Sequence, residues 1–417
     1  PRVDIRTIDG FEDFHFKYHQ EVYCFNRPQG AFERANGIRG LRYVEPGDWW
    51  CRHMTVERNE ENLQEWIREL AEKEDTETTR QAIANAFCQN HDQNGHLSWF
   101  PTDVPWSPNG AQVHINANPA LPGRYNFYSL YFNEEDWNRM FHPQEGEPFD
   151  GIYLDELSGW WNGNANFNKE HYAYSTVPLT YSPWFKKPML HRASTTWEFT
   201  KKLSEALHRE GRMIFANKCP DKDNFYTPLA DAMGTEMTAL TDGKYDPQTI
   251  EQLGFWRTFA YKKPYCILMS VDFNQFDREM IELYLQRCLA FGIFTCFFDD
   301  FGDHTIYFQE PKKLYDRDRD LWRKYLPLTK AVAEAGWEPV TLASCGTQGV
   351  LVERFGADTG KGLYFTVYNS TEASVTAEIS LQLSELQGRG LWELTEQCAV
   401  STDGGRCTLE LRPGQTA

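Results

Sequence analysis

The sequence predicts an α/β protein: a (β/α)8, or TIM, barrel over residues 1–338 followed by a small antiparallel β-sandwich over residues 339–417. Short apolar segments alternate with amphipathic, helix-like segments through most of the chain, which is typical of a parallel sheet with helical crossovers. After residue 339 this helical periodicity stops, and short alternating segments separated by turn residues take over. A chain of 417 residues, 41% of them hydrophobic, is long enough for one large core and a smaller one.

The barrel strands are counted back from the last apolar segment before the final helical stretch. Eight segments are predicted as strands, the number that closes a TIM barrel: 40–44, 81–88, 125–132, 149–154, 212–216, 230–235, 264–271 and 293–298. The intervening helical periodicity predicts helices over 194–210, 248–261, 278–291 and 316–335. In the C-terminal part, alternating segments at 349–354, 362–367, 375–381, 391–394 and 407–411 predict the strands of the sandwich.

Charge and composition narrow the class of partner. The chain carries 42 basic and 60 acidic residues, a net charge of −18, which repels phosphate backbones and argues against nucleic acid. No apolar run is long enough to span a bilayer, so no membrane partner is expected. The 14 tryptophans favour a carbohydrate partner, because indole faces stack on the apolar faces of sugar rings.

Cysteine usage indicates neither a metal site nor a cofactor. The ten cysteines include no Cys-x-x-Cys pair and no Cys/His cluster with zinc spacing, so no metal and no cofactor are expected.

The chain opens at Pro1 rather than at methionine, which leaves open an upstream signal peptide or domain. The compartment is undecided, with a secreted or periplasmic location slightly favoured over the cytoplasm, and the oligomeric state is open, a homo-oligomer included.

Polar side chains directly follow most of the predicted barrel strands. In a (β/α)-barrel the carboxyl ends of the strands line the active face, so we expect these side chains to converge there. They are Asp155, Glu156, Asn217, Lys218, Glu236, Asp272 and Asp299. Several carboxyl groups without a metal signature or a nucleophilic serine point to glycosidic cleavage, in which one carboxylate attacks or activates water and a protonated one assists the leaving oxygen. Neighbouring acids help to keep one group protonated by like-charge repulsion.

Five segments carry a resemblance to a known group of proteins. Residues 150–155, 168–174, 215–217, 233–236 and 336–339 resemble bacterial barrel proteins that are classed as glycoside hydrolases without a known substrate. At a coarser level the arrangement resembles the α-galactosidase-like retaining clan, whose nucleophile is an Asp at the end of the fourth strand and whose acid/base follows the sixth. That resemblance implies Asp155 as nucleophile and Glu236 as acid/base. Two features depart from it, because the clan's acid/base is usually Asp and its Lys-x-Asp motif is absent here.

A second resemblance competes with the first. An Asp-Glu pair at the end of the fourth strand is similar to that of the β-hexosaminidases, in which the substrate's own acetamido group attacks. This resemblance implies that Asp155 orients the acetamido group and that Glu156 is the acid. Adjacent strand residues point to opposite faces, so both reach the site only if the strand is broken at Asp155. A third alternative, from another class, is a carbohydrate-binding barrel without catalytic activity.

The remaining candidates are predicted to bind substrate. Trp160 and Trp161 lie in a Gly- and Asn-rich loop after Asp155, where a sugar platform is favoured over packing. Trp49 follows the first predicted strand, and platform and packing are equally supported there; His53 lies close by. Asn217, Lys218, Asp272 and Asp299 complete the set, although a structural ion pair between Lys218 and Glu236, or a structural role for the two Asp residues, remains an alternative.

Overall fold

The computed structural model confirms an α/β protein with a parallel main sheet. It describes residues 17–22, 24–52, 54–72, 79–81, 83, 89–104, 107–122, 126–157, 165–220, 224–299, 307, 313–357, 362–382, 384 and 388–417. The strands of that sheet, numbered in chain order, are β1 (Lys17–Glu21), β2 (Ile38–Val44), β3 (Gly151–Leu154), β4 (Met213–Asn217), β5 (Ala232–Met237), β6 (Tyr265–Val271) and β7 (Phe294–Asp299). None of the helices in this part of the chain is both long and apolar enough to cross a bilayer.

The chain divides into two compact units. The first unit comprises residues 20–35 and 39–231, and the second comprises 1–19, 36–38 and 232–417. This division follows contacts within the chain, and the boundary that the sequence predicts between residues 338 and 339 stays a prediction.

In the first unit, strands β2, β3 and β4 pair in parallel with no shift in register. Leu41 lies opposite Gly151 and Val44 opposite Leu154, while Met213 lies opposite Gly151 on the other side. The helices of this unit are Gly30–Ala35, Glu60–Glu72, Phe127–Phe132, Glu134–Phe141 and Arg192–Arg209. A small antiparallel sheet of Asp48–Cys51, Trp99–Val104 and Ser107–His114 packs against the helix Glu60–Glu72 through buried apolar side chains.

The second unit contains the other parallel strands and the C-terminal sheets. Strands β5, β6 and β7 pair in parallel, and the accompanying helices are Ile250–Ala260, Arg278–Phe291 and Lys313–Ala335. One three-stranded antiparallel sheet consists of Trp337–Glu338, Val350–Phe355 and Tyr364–Asn369; another consists of Ala343–Cys345, Val375–Leu381 and Arg406–Leu411. Both sheets contribute to one apolar core that includes Val350, Val367 and Ile379, which confirms the predicted sandwich.

One predicted strand is wrong. Residues 125–132 were expected to be a strand because aromatic residues dominate them, but Phe127–Phe132 is a helix. The Asn126 side chain accepts a hydrogen bond from the Ser129 amide at 2.9 Å and begins this helix. The five aromatic and leucine residues of Phe127–Phe132 are all buried, and in so short a segment the apolar periodicity cannot separate strand from helix. Of the strand predicted at 81–88, Gln81 and Ile83 have helical backbone and the rest lies outside the described residues. Strand β1 was not predicted.

Candidate active site

Asp155 is the first residue after strand β3. The ladder between β2 and β3 continues to it, because its amide donates to the Val44 carbonyl at 2.8 Å. The Tyr43 hydroxyl donates to Oδ2 of Asp155 at 2.5 Å, and the Asn217 side-chain amide donates to Oδ1 at 2.6 Å. A carboxylate that accepts a hydrogen bond on each oxygen is fixed in orientation. Its side chain remains partly exposed, so a substrate can reach it.

Strand alternation brings the groups around Asp155 together. Residues two apart on a strand share a face, so the register that aligns Tyr43, Tyr153 and Phe215 also aligns the residues two positions further on. The three aromatic rings stack with centroids 5.9 and 5.0 Å apart. The next layer consists of Glu45, Asp155 and Asn217. A packed aromatic layer therefore supports a polar layer at the carboxyl ends of β2, β3 and β4.

Asn217 is fully buried, and its amide can face Asp155 in only one way. The side-chain oxygen of Asn217 accepts a hydrogen bond from the Lys218 backbone amide at 2.8 Å. That bond occupies the acceptor end of the side chain and leaves the NH₂ group to donate to Asp155. The structure thus places Asn217, a predicted substrate-binding residue, as a positioning residue for Asp155.

A second carboxyl group, Glu45, lies in the same layer. Its Oε2 is 3.4 Å from the Tyr43 hydroxyl and accepts a hydrogen bond from the Trp50 indole at 2.9 Å. Its Oε1 accepts one from the Gln112 amide at 3.0 Å. Burial raises the pKa of Glu45 well above the ordinary value, and the negative charges of Asp48 and Asp155 raise it further, against a smaller opposing effect of the Trp50 hydrogen bond. Glu45 therefore holds its proton more tightly than an ordinary Glu side chain does.

The Tyr43 hydroxyl keeps its proton under the same influences. Burial raises the pKa of Tyr43 well above its ordinary value, and the neighbouring charges of Asp155 and Glu45 add to the effect. Tyr43 therefore keeps its proton at neutral pH and can donate it to Asp155.

Behind this layer lies a buried charge cluster centred on Asp48. Oδ1 of Asp48 is 2.5 Å from Nδ1 of His114, and Oδ2 pairs with the Arg192 guanidinium. Burial raises the pKa of the Asp48 carboxyl, but the Arg192 charge and the His114 hydrogen bond outweigh it and hold the pKa below its ordinary value. Within the described residues, no group of three or more His, Cys, Asp or Glu side chains could hold a metal ion.

A cavity of about 430 Å³ opens beside Glu45. Its lining includes Tyr43, Trp49, Trp50 and Trp66. Trp49, predicted as a sugar platform or a packing residue, lines the cavity and also packs against the core of the small antiparallel sheet. Its indole N–H is buried and has no hydrogen-bond partner among the described residues. An aromatic cavity beside a carboxyl group of raised pKa has the composition of a sugar-binding pocket.

Glu156 and Lys218 occupy unusual backbone positions at the ends of neighbouring strands. Glu156 has a φ of 45° and Lys218 a φ of 58°, both in the left-handed region that non-glycine residues seldom adopt. The extended backbone thus ends at Asp155 and turns at Glu156, a change of direction that the substrate-assisted alternative needs. The Glu156 side chain, however, is only 1% exposed, and its Oε1 lies 3.8 Å from the Lys218 ammonium.

The other predicted site residues lie in the second unit or outside the described residues. Glu236 is in strand β5, opposite Leu268, and its partnership with Asp155 stays a prediction. Asp272 accepts hydrogen bonds from the side chains of Asn274 and Gln275 and so orders the turn after β6. Asp299 ends strand β7, but its side chain is outside the described part. His53, Trp160 and Trp161 also lie outside it.

Five residues of the site were not predicted: Tyr43, Glu45, Asp48, His114 and Arg192. Glu45 carried the same signal as Asp155, because it directly follows a predicted strand that ends at Val44. The other four carried none, since nothing in the sequence pairs Asp48 with a residue 144 positions away.

Comparison with known proteins identifies the fold but no family. No protein-family model matches the sequence, and no curated protein sequence matches it. Among solved structures it is similar to an α-glucosyl transfer enzyme, XgtA, with a TM-score of 0.50 and 10% identity over 97% of this chain and 92% of that one. A GH27 β-L-arabinopyranosidase from Geobacillus stearothermophilus gives a TM-score of 0.48 and 12% identity, over 93% of this chain and 75% of that one. An α-amylase from H. orenii gives 0.45 and 9%, over 92% and 80%. At these identities the likeness to XgtA concerns the fold alone.

Proposed function

We propose that the protein is a glycoside hydrolase that cleaves a glycosidic bond in an oligo- or polysaccharide, with Asp155 as the nucleophile of a retaining reaction. The observation that supports this most directly is the Asp155 carboxylate. It is partly exposed at a strand end, fixed by Tyr43 and Asn217, and accompanied by a second carboxyl group and an aromatic cavity. Retaining glycosidases use one carboxylate as the nucleophile and a neighbouring carboxylic acid as the proton donor.

In this reaction Asp155 attacks the anomeric carbon while a carboxylic acid protonates the departing oxygen, and a glycosyl ester forms on Asp155. Water then attacks the same carbon, the second carboxyl group takes its proton, and Asp155 is released. The hydrogen bonds from Tyr43 and Asn217 aim the carboxylate before substrate arrives, so less reorganisation is needed during attack. The resemblance to the retaining clan assigns the acid to Glu236, and that assignment stays a prediction.

The substrate-assisted alternative has less support. It needs the Glu156 carboxyl to touch the leaving oxygen, yet that side chain is almost completely buried and lies beside Lys218. This arrangement favours a structural role for Glu156. The non-catalytic alternative does not explain why the Asp155 carboxylate is held in one orientation by Tyr43 and Asn217.

The test is hydrolysis of a panel of nitrophenyl glycosides by the wild type and by Asp155→Asn, with Asp103→Asn as control. Asp103 is an exposed residue of the same unit, paired with Arg58. We expect Asp155→Asn to lose at least about a thousandfold of the activity, azide to restore turnover with inverted product, and Asp103→Asn to match the wild type.

Other results would point to the alternatives. If Asp155→Asn keeps full activity, the proposal is wrong. Loss of activity in Glu156→Gln, together with strict dependence on an acetamido group, would favour the substrate-assisted mechanism. Binding on a glycan array without cleavage of any glycoside would favour the non-catalytic alternative.

A further inference from the structure

The carboxyl groups of Asp155 and Glu45 both lie within hydrogen-bonding distance of the Tyr43 hydroxyl. We infer that Glu45 donates the proton to the leaving group in the reaction of Asp155, with the Tyr43 hydroxyl joining the two. The inference rests on the proposed glycosidase activity and names a different acid from the one that the resemblance implies.

The spacing of the two carboxyl groups suits this role. Oδ2 of Asp155 lies 2.5 Å and Oε2 of Glu45 lies 3.4 Å from the same Tyr43 oxygen. Two oxygens that share one hydroxyl at these distances are closer than the roughly 6.5 Å at which the range of inverting enzymes begins. This geometry is compatible with the roughly 5–5.5 Å of a retaining pair.

The direction of the hydrogen bonds at Tyr43 also supports a role for Glu45 as the proton donor. Tyr43 has a single proton, and the short bond to Asp155 uses it. The Tyr43 oxygen is then left to accept, and a protonated Glu45 can supply the donor. The contacts from Glu45 through Tyr43 to Asp155 are therefore compatible with a neutral acid at Glu45 and an accepting carboxylate at Asp155.

The charged groups around Glu45 decide its protonation. Asp48 and Asp155 disfavour a further negative charge there, and Arg192 opposes them weakly because it is engaged with Asp48. The pKa of Glu45 is raised well above its ordinary value by burial first and by these two acids next. Arg42 and Arg52 line the same cavity; the Arg42 guanidinium donates to the backbone carbonyls of residues 21, 22 and 43.

Access distinguishes Glu45 from Glu156. Glu45 is partly exposed and lines the cavity that contains Trp49 and Trp50, whereas Glu156 is buried. A leaving group that occupies the cavity would have Glu45 beside it, and the sugar that carries the anomeric carbon would extend from the cavity past Tyr43 to Asp155, which is outside the cavity lining. As the carbon–oxygen bond breaks, the Glu45 proton passes to that oxygen. In the second step the Glu45 carboxylate recovers a proton from the attacking water.

The test compares Glu45→Gln and Glu45→Asp with Glu236→Gln and the exposed control Glu205→Gln, on phenyl and dinitrophenyl glycosides of the sugar that the wild type cleaves. A dinitrophenyl leaving group departs without protonation. We therefore expect Glu45→Gln to slow phenyl glycoside hydrolysis about 10²–10⁴-fold and dinitrophenyl glycoside cleavage far less. The fall in kcat/KM at high pH should disappear in this variant, and azide should yield a glycosyl azide of retained configuration.

A second readout does not depend on activity. In protein labelled with carbon-13 at glutamate carboxyl groups, we expect one carboxyl signal that stays protonated at neutral pH and is missing from Glu45→Gln. Circular dichroism and Tm establish that each variant is folded. If Glu45→Gln does not fold, Glu45→Asp takes its place, because it keeps a titratable carboxyl group at this position.

The outcomes separate the two proposals. Equal losses on both leaving groups with an unchanged pH profile would overturn the role of Glu45, and a leaving-group effect in Glu236→Gln would move that role to Glu236. Either result leaves Asp155 as the nucleophile. Failure of the wild type to cleave any glycoside removes both proposals together.

Discussion

The Tyr43 hydroxyl donates a 2.5 Å hydrogen bond to the Asp155 carboxylate, across a strand pair in which Tyr43 lies opposite Tyr153. Asp155 is two positions beyond Tyr153 and on the same face, so the phenol reaches forward along the neighbouring strand. The register of β2 against β3 therefore sets the direction of the carboxylate. The same register, and the charges behind it, determine how the site should respond to substitution.

Tyr43→Phe removes this hydrogen bond and keeps the ring that stacks on Tyr153. We expect kcat/KM to fall about 10–100-fold, since a hydrogen bond to a charged group contributes roughly 1.5–3 kcal/mol. The Tm should fall as well, because the folded state loses the same hydrogen bond to Asp155. Steady-state kinetics and thermal unfolding measure the two effects, and wild-type kinetics in a folded variant would show that Tyr43 does not orient Asp155.

Asn217→Ala leaves an oxygen of Asp155 and the amide of Lys218 without their partner. Because the site is buried, we expect a loss of about 1–3 kcal/mol in the free energy of unfolding together with a loss of activity. Asn138→Ala, at an exposed helix position, is the control and should stay within about 0.5 kcal/mol of wild type. Urea unfolding measures both, and similar values for the two variants would contradict the assignment.

Arg192→Met removes the cation that pairs with the buried Asp48 carboxylate. Removing one partner of a buried ion pair costs about 3–5 kcal/mol, because the remaining charge is desolvated and uncompensated. Arg68→Met breaks an exposed pair with Glu65 and should cost no more than about 1 kcal/mol. Chemical denaturation tests the contrast; equal effects would mean that the Asp48 charge is compensated by other groups.

The acid sensitivity of folding should depend on Asp48. Although burial raises the pKa of Asp48, Arg192 and His114 hold it below the ordinary Asp value. The unfolded chain then binds the proton more readily than the folded one, so this group stabilises the fold above the ordinary Asp pKa. That contribution is lost as the pH falls through the lowered pKa of the folded state. Asp48→Asn should flatten the decline in unfolding free energy between neutral and acidic pH, and an unchanged slope would contradict this.

Gly151→Ala should disrupt the pairing of β3 with β4. A Cβ at this position would lie 2.0 Å from the backbone oxygen of Met213, and a strand backbone cannot move away without breaking the ladder. We expect a loss of at least about 1–3 kcal/mol in unfolding free energy. Gly346→Ala meets no atom within 4 Å and should be close to neutral in the same urea experiment. A neutral Gly151→Ala would show that the strand can shift.

Local patterns in the sequence predicted much of the architecture. The alternation of strands and helices, six of the strands and the C-terminal sandwich all follow from periodicity and turn residues. Asp155 was found because a charge directly after an apolar strand is costly unless it has a function or a partner. The segment 125–132 was predicted wrongly, because its helix depends on the Asn126 cap and on the burial of its five aromatic and leucine side chains.

The two carboxyl groups predicted together at residues 155 and 156 have different surroundings in the structure. The sequence by itself determined that Asp155 directly follows an apolar strand, and it predicted that the acids after neighbouring strands converge on it. Only the tertiary structure decided that Tyr43 and Asn217 hold Asp155, that Glu45 lies beside it and that Glu156 is buried. The hydrogen bonds to Asp155 come from Tyr43, 112 positions away, and from Asn217, 62 positions away. The Asp48–Arg192 pair of the same site joins residues 144 positions apart. Strand register and side-chain packing determine these contacts, and neither can be derived from the spacing of residues along the chain.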